Sequence, residues 1–281
     1  MQITSILFLL LLLLSGKLPA ELPEKFEKAD KQILENIFRA LERKGNASTS
    51  ELVVAAGMQF LNTPYVAHTL ESDKEELIIN LRELDCTTFA ENCLAIARSV
   101  KSGDPSFKTF VAELQKLRYR NGKINKYPSR LHYFSDWIYE NTESGYLDDL
   151  SRKLCNTPYP LNVNFMSTHP DSYKQLKTNP AWVKRMEGIE SEIQKRTMFY
   201  VPKDKIKDIE SELRSGDIIG ITTSVKGLDV THVGILVKVN GRIHLMHASS
   251  AAMKVVISEE PLSDYLTRSK SNTGIMVTRP K

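Results

Sequence analysis

A turn near the end of the chain constrains its fold more than any other sequence feature. Asn240-Gly241 separates two runs of β-forming residues, 232–239 and 242–249. This dipeptide is the strongest short-range signal for a β-hairpin, because a type I′ turn requires a positive φ at both central positions. The sequence therefore predicts two antiparallel strands joined by a two-residue loop, and that loop fixes which residues face each other.

The predicted register brings two histidines together. If Val239 pairs with Arg242, His232 and His247 lie on the same face of the hairpin as diagonal neighbours. Diagonal positions are about 7–8 Å apart at the backbone, which is within reach of two imidazole side chains. His244 points to the opposite face, so we expect it to take no part in a site built from the other two.

A cysteine far upstream opens a predicted helix. Asp85 is a good N-cap residue and would place Cys86 in the first turn. There the unpaired backbone N–H groups and the helix dipole favour a thiolate over a thiol, which is the environment that a cysteine nucleophile needs. Apolar residues then follow at near-helical spacing and predict a buried stripe. They are Phe89, Cys93, Ile96 and Val100.

Cys86, His232 and His247 form a candidate catalytic set. In such a set the cysteine is the nucleophile, a histidine is its base, and a third polar residue orients that base. We assign these three roles to the three residues in that order. The alternative interpretation is structural, with Cys86 as a small buried residue and the histidines as satisfied core or surface residues.

The N-terminal segment has the pattern of a secretory signal. Residues 6–14 are nine consecutive apolar residues, and Ala20 is a small residue suited to cleavage. A run of this length is too short to span a bilayer, which takes about twenty residues. We therefore expect residues 1–20 to be a signal peptide and the chain to be exported, to the periplasm, without a stable membrane span.

Composition narrows the expected partners and cofactors. The formal net charge is +4, with no block of Lys and Arg and no aromatic RNA-binding motif, so nucleic acid is not an expected partner. Three cysteines are too few for a disulfide framework, and Cys155 has no predicted partner. No histidine or cysteine spacing matches a metal site, so we expect neither a metal nor another cofactor.

The order of the predicted elements indicates an α+β fold. Helical patterns occupy 24–43 and continue after a capping box at Ser48, whereas the predicted strands lie between 217 and 278. Helices followed by an antiparallel sheet are typical of the α+β class. We expect the N-terminal helices to pack on this late sheet.

The mature chain is long enough for one sizeable domain. We expect residues 21–281 to form a single catalytic domain, with inserted helices and loops at 104–200. Residues 157–178 are rich in Pro, Asn, Tyr and Ser, and this segment is long for a plain connection. It is therefore a candidate binding loop.

Four segments resemble the NlpC/P60 superfamily of papain-like cell-wall hydrolases. They are Leu84-Asp-Cys-Thr-Thr-Phe-Ala-Glu91, Thr231-His-Val-Gly-Ile235, Met246-His-Ala-Ser249 and Asn62-Thr-Pro-Tyr-Val66. A closer resemblance is to the DUF1460 branch, whose members are N-acetylmuramoyl-L-alanine amidase-like. It extends to His132-Tyr-Phe-Ser-Asp-Trp137 and Asn162-Val-Asn-Phe-Met166, whereas Asn62 and His68 stand where relatives commonly have glycine.

The resemblance implies roles for residues around the catalytic set. Tyr65 would lie by the active site and donate a hydrogen bond from its hydroxyl to the oxyanion. Asp85 would contact the substrate peptide, and Thr87 would also be a substrate-binding or oxyanion residue. Two further residues are candidates from the pattern itself. Trp137 would stack on a sugar ring, unless it is ordinary helix packing, and Asn164 would face a cleft.

The function implied is that of a secreted cysteine amidase. It would hydrolyse the bond between the N-acetylmuramoyl group and L-alanine in soluble peptidoglycan fragments (muropeptides), including fragments with 1,6-anhydro sugar ends. Two alternatives remain. One is an endopeptidase that cuts within the stem peptide, and the other is a catalytically silent wall-binding protein. A complete set of Cys86, His232 and His247 argues against the silent protein.

Overall fold

The computed structural model describes residues 24–281. The signal peptide predicted at residues 1–20 lies outside the described residues. The strands among these residues are β1 (Glu24–Lys25), β2 (Leu77–Ile78), β3 (Leu147–Asp149), β4 (Thr157–Tyr159), β5 (Met198–Pro202), β6 (Ile218–Thr223), β7 (Val230–Val239), β8 (Arg242–Ser249), β9 (Lys254–Ile257) and β10 (Asn272–Pro280). Eight of them form one antiparallel sheet in the order β4-β5-β10-β6-β7-β8-β9, with β3 paired to β10, whereas β1 and β2 form a separate two-stranded parallel sheet.

The hairpin predicted from Asn240-Gly241 is confirmed. Their φ angles are 48° and 84°, as a type I′ turn requires. Val239 pairs with Arg242 and Val237 pairs with His244, which is the predicted register.

Helices precede and cover this sheet, and the α+β class is confirmed. Capping boxes at Ser48 and Asp85 start two of the long helices. None of the helices within residues 24–281 has the length and apolar character needed to cross a membrane. The helices are α1 (Lys28–Leu41), α2 (Thr49–Gln59), α3 (Cys86–Lys101), α4 (Phe107–Arg118), α5 (Phe134–Glu143), α6 (Ser151–Leu154), α7 (Phe165–Thr168), α8 (Lys174–Lys177), α9 (Pro180–Gln194), α10 (Ile206–Ile209) and α11 (Leu262–Tyr265).

Two hydrophobic cores lie on opposite faces of the sheet. On one face α3 packs on β7 and β8, and its buried Phe89 and Cys93 share a core with Ile235. On the other face Leu236 and Leu245 pack against the short helices α10 and α11. Because neighbouring residues along β7 enter different cores, both faces of the strand are fixed by packing.

The segment 104–200 differs from the expectation of inserted helices and loops. It contributes β3, β4 and part of β5 to the main sheet, before the region where strands were predicted. Strands of three residues are too short to show an alternating pattern. In β4, Pro158 removes a backbone donor, which is tolerated because β4 is the edge strand.

Gly216 provides a test of how tightly α2 sits on the turn before β6. Its φ is +91°, and a Cβ atom there would lie 2.2 Å from the carbonyl oxygen of Ser50 in α2. Gly103 has a φ of +81° with nothing within 4 Å of its Cβ position, so it is the matched control. We expect Gly103→Ala to lower the free energy of unfolding by about 1 kcal/mol and Gly216→Ala to lower it by several times as much. Urea unfolding followed by circular dichroism measures both changes. Equal losses in the free energy of unfolding would mean that α2 is not in tight contact with this turn.

Candidate active site

The two histidines of the hairpin are in direct contact. Nε2 of His232, on β7, lies 2.6 Å from Nδ1 of His247, on β8, and the rings are nearly perpendicular. The neighbour relation predicted from the turn is therefore confirmed. His244 is directed elsewhere, with Nδ1 2.8 Å from the carbonyl oxygen of Ser258.

A β-bulge next to His232 was not predicted. The ladder between β6 and β7 shifts register there, because Ile221 pairs with His232 but Thr222 pairs with Val230. Thr231 is the extra residue. Bulges bend a strand and re-aim its side chains, and they are common beside active sites. No sequence signal marks this one, since Thr231 is an ordinary β-forming residue.

Both imidazoles are neutral at ordinary pH. Burial lowers the pKa of His232 to about 4. Burial, together with the nearby His232 and Arg268, lowers the pKa of His247 to about 3. A neutral imidazole has one N–H, so one ring donates to the other. When His232 donates through Nε2, its Nδ1 is a free acceptor that can take a proton.

Cys86 begins α3 as predicted, with Asp85 as its N-cap. The Asp85 carboxylate accepts the backbone N–H of Thr88 at 2.7 Å, and the Thr88 hydroxyl accepts the backbone N–H of Asp85 at 2.9 Å. Cys86, Thr87 and His232 line one cavity of about 180 Å³. The structure thus brings the candidate nucleophile and the candidate base to the same cleft from a helix and a strand.

The protonation state predicted for Cys86 was wrong for the resting protein. Burial raises the pKa of the thiol to about 11, and the negative charge of Asp85 acts in the same direction. Hydrogen bonds from the backbone of Val233 and from Thr87 lower it, but burial outweighs them. The resting pair is therefore a thiol beside a neutral imidazole.

Backbone pairing with Leu84 holds Tyr65 next to the start of α3. It forms a parallel bridge with Leu84, whose backbone N–H donates to the carbonyl oxygen of Pro64 at 3.0 Å. Burial raises the pKa of Tyr65, and the nearby Cys86 and Asp85 raise it further, so the hydroxyl keeps its proton and is a donor.

The residues that replace glycine around Tyr65 have the backbone conformation of glycine. Asn62 has a φ of 68° and His68 a φ of 62°, both in the left-handed region. Glycine takes this conformation without strain, whereas a histidine does not. Both positions therefore have a backbone conformation that a glycine would also adopt.

Of the two other predicted binding residues, Trp137 lines the cleft and Asn164 does not. Trp137 borders the cleft, but it is 1% exposed and stacked on Phe134 at 5.0 Å, so it is packed core and not an open platform. Asn164 was predicted to face the cleft; it is exposed and lies outside its lining. Its backbone N–H donates to the carbonyl oxygen of Gly227, which holds it against the loop before β7.

Several wall residues were not singled out from the sequence. His132 comes from the segment before α5, and Tyr173 comes from the predicted binding loop at 157–178. Asp229 is buried, and its carboxylate accepts the backbone N–H of Ser135 at 2.6 Å. The only available signal for His132 was that it lies in a motif shared with the resembling family.

Within residues 24–281, no group of three or more His, Cys, Asp and Glu side chains is placed to hold a metal ion. The polar chemistry of the cleft rests on a thiol, imidazoles, hydroxyls and a buried carboxylate.

Comparison with known proteins identifies the family. The model of the AmiA-like family, described as N-acetylmuramoyl-L-alanine amidase-like, matches residues 55–275. The chain therefore belongs to this family. No curated protein matches it significantly.

Solved structures agree with this assignment. An N-acetylmuramoyl-L-alanine amidase from Bacteroides uniformis ATCC 8492 has a TM-score of 0.80 and 42% identity, over 83% of this chain and 99% of that chain. A Bacteroides fragilis protein described as a candidate xylanase has a TM-score of 0.76 and 44% identity, over 79% and 98%. A Legionella pneumophila protein assigned to DUF1460 shares the fold, with a TM-score of 0.68 and 21% identity over 89% and 95%.

Asp85 provides a test of the charge balance at Cys86. Asp85→Asn keeps an N-cap oxygen but removes the negative charge, so the thiolate is less disfavoured and the pKa of Cys86 falls. The measurement is the pH dependence of iodoacetamide labelling at Cys86, located by mass spectrometry. We expect faster labelling at each pH below 9 or so. Asp85→Ala should also label faster but lose about 1 kcal/mol of stability with the cap. An unchanged labelling profile in Asp85→Asn would contradict the charge effect.

Proposed function

We propose that this protein is a cysteine amidase that cleaves the bond between the N-acetylmuramoyl group and L-alanine in muropeptides. The observation that carries the proposal is the cleft in which Cys86, at a helix start, meets His232, which is hydrogen-bonded to His247. Membership of the amidase-like family and 42% identity to a protein named as such an amidase support the choice of bond.

The proposal includes a papain-like fold of the NlpC/P60 type. It is supported by a helix that carries the cysteine and packs on an antiparallel sheet that carries the histidines. It also includes a single catalytic domain formed by residues 21–281, and export to the periplasm after removal of residues 1–20. The export proposal rests on the apolar run at residues 6–14 and on the location of the substrate.

The first half of the reaction forms an acyl-enzyme. The Cys86 sulfur attacks the lactyl carbonyl while His232 Nδ1 takes the thiol proton, since the resting pair is neutral. His247 accepts the hydrogen bond from Nε2 of the resulting imidazolium and stabilises its charge. Backbone N–H groups at the start of α3 and the Tyr65 hydroxyl stabilise the tetrahedral oxyanion.

The second half of the reaction releases both products. His232 gives its proton to the nitrogen of L-alanine, the C–N bond breaks, and the peptide leaves with a free amine. His232 then removes a proton from a water molecule, which attacks the thioester of Cys86. Collapse of the second tetrahedral intermediate returns the proton to the sulfur and frees the muramic carboxylic acid, which then loses its own proton to water.

Glycoside hydrolysis is a second candidate because one solved relative is described as a candidate xylanase. That chemistry ordinarily uses two carboxyl groups about 5–10 Å apart on either side of the scissile bond. Among the described residues that line the cleft, Asp229 is the one carboxylate, and it accepts backbone N–H groups of Ser135 and Val230. The cleft therefore favours amide hydrolysis.

The roles of the histidines predict a graded set of losses. Cys86→Ala should abolish turnover, and His232→Ala should lower kcat/KM by about 10³-fold or more, since the two act as a unit. His247→Ala should cost less, about 10–100-fold, because a base remains but is no longer oriented. Steady-state kinetics on a disaccharide-tetrapeptide measures these losses. His244→Ala and Cys155→Ala are the controls and should stay near the wild-type rate; a larger loss for His244→Ala than for His247→Ala would contradict the assignment.

The scissile bond is tested by offering the sugar and the peptide separately. An amidase must hold the muramoyl side of the bond, so the free tetrapeptide should not be cleaved. The same tetrapeptide attached to the disaccharide should release an intact peptide that begins with L-alanine, identified by mass spectrometry. Cleavage of the free peptide at a comparable rate would favour an endopeptidase. Binding of the conjugate without turnover would favour a silent wall-binding protein.

A further inference from the structure

A second histidine lines the cleft and has no role in the mechanism above. His132 borders the same cavity as Cys86 and His232. Its Nε2 lies 3.0 Å from the backbone carbonyl oxygen of Tyr127. A carbonyl oxygen only accepts hydrogen bonds, so Nε2 must carry the hydrogen.

The His132 ring is neutral. Burial, and then the positive charges of Arg130 and Arg120, lower its pKa to about 3, and only the Tyr127 carbonyl acts in the opposite direction. A neutral imidazole that carries its hydrogen on Nε2 has a lone pair on Nδ1. Among the described residues, Nδ1 has no hydrogen-bond partner, and it is not one of the fully buried side-chain atoms that lack one. Because His132 lines the cleft, Nδ1 is the ring nitrogen that remains free to accept a hydrogen bond from a ligand there.

The orientation of this acceptor is fixed. The rings of His132 and Tyr127 are 4.4 Å apart between centroids, and the Arg130 guanidinium lies 4.8 Å from the centroid of the Tyr127 ring. Arg130 is in turn paired with Glu71 at 3.0 Å and with Glu75 at 3.2 Å. Because the supporting groups are buried and paired, the imidazole is oriented before a ligand arrives.

We infer that His132 is a substrate-binding residue whose Nδ1 accepts an amide N–H close to the scissile bond. The inference rests on the proposed function, because it takes the ligand to be a muropeptide. Such a ligand has an amide N–H on each side of that bond. One belongs to the N-acetyl group of the sugar, and the other belongs to the peptide bond that follows L-alanine. His132 stays neutral, so its Nδ1 can only accept a hydrogen bond. It therefore favours a ligand that offers one of these two N–H groups over a ligand in which that hydrogen is missing.

The test measures discrimination and not only activity. Three substrates are compared: the disaccharide-tetrapeptide, an analogue N-methylated at the peptide bond after L-alanine, and an analogue with an ester oxygen in place of the N-acetyl nitrogen. We expect wild-type kcat/KM to fall about 3–10-fold for the analogue that lacks the recognised N–H. The analogue that shows this fall identifies which side of the bond His132 contacts.

Variants of His132 decide whether it is the source of that discrimination. His132→Phe keeps a ring but removes the acceptor. The ratio of kcat/KM for the substrate to kcat/KM for the analogue should therefore fall to about one. His132→Asn places an amide oxygen close to the former Nδ1 and should restore part of the ratio. His244→Phe is the matched control, since His244 also faces a backbone carbonyl but lies outside the cleft lining. A wild-type ratio in His132→Phe for both analogues would overturn the inference.

A binding measurement covers the case in which His132→Phe does not fold. Cys86→Ala is titrated with the disaccharide-tetrapeptide while the ring nitrogens of the histidines are observed by ¹⁵N NMR. We expect the His132 Nδ1 resonance to move in the direction of hydrogen-bond acceptance. Binding without this movement overturns the role of His132 and leaves the proposed function intact. Absence of binding, with no cleavage by the wild type, overturns the proposed function and this inference together.

Discussion

The hydrogen bond between His232 and His247 is the interaction on which the rest of the site depends. At 2.6 Å it joins adjacent strands and determines how the His232 ring is turned. With Nε2 engaged, Nδ1 is the nitrogen left for the cleft, and the same contact would stabilise a positive charge on the ring. A half-buried histidine and a buried one can therefore replace the histidine and carboxylate pair of many hydrolases, although a neutral partner stabilises the protonated base less than a carboxylate does.

Burial decides the resting protonation of this site more than charge does. The thiol pKa is raised to about 11 and the His232 pKa is lowered to about 4, each mainly by burial. The neutral pair is consequently the stable form across the physiological range, and a preformed thiolate–imidazolium pair is disfavoured. The proton then moves during attack, when the substrate carbonyl provides a site for the developing charge.

The sequence predicted the parts of the site that follow local rules. The Asn240-Gly241 turn was enough to place His232 beside His247, and Asp85 was enough to start α3 at Cys86. What was missed depends on tertiary contacts. The bulge at Thr231 has no local signal, and the thiol pKa could not be judged without knowing how deeply the helix start is buried. His132 lines the cleft only because the segment before α5 folds next to Cys86 and His232, which no local pattern predicts.

Placement of the nucleophile against its base depends on more than core packing. The segment around Tyr65 is hydrogen-bonded to Leu84, just before the start of α3. The backbone N–H of Tyr65 also donates to the carbonyl oxygen of Met253, in the turn after β8, at 3.0 Å. Met253 is left-handed, a conformation that costs about 1–2 kcal/mol for such a residue. Backbone of this kind persists where surrounding contacts over-determine it. We infer that these hydrogen bonds are the reason here, because they connect the sheet that carries the histidines to the helix that carries the cysteine.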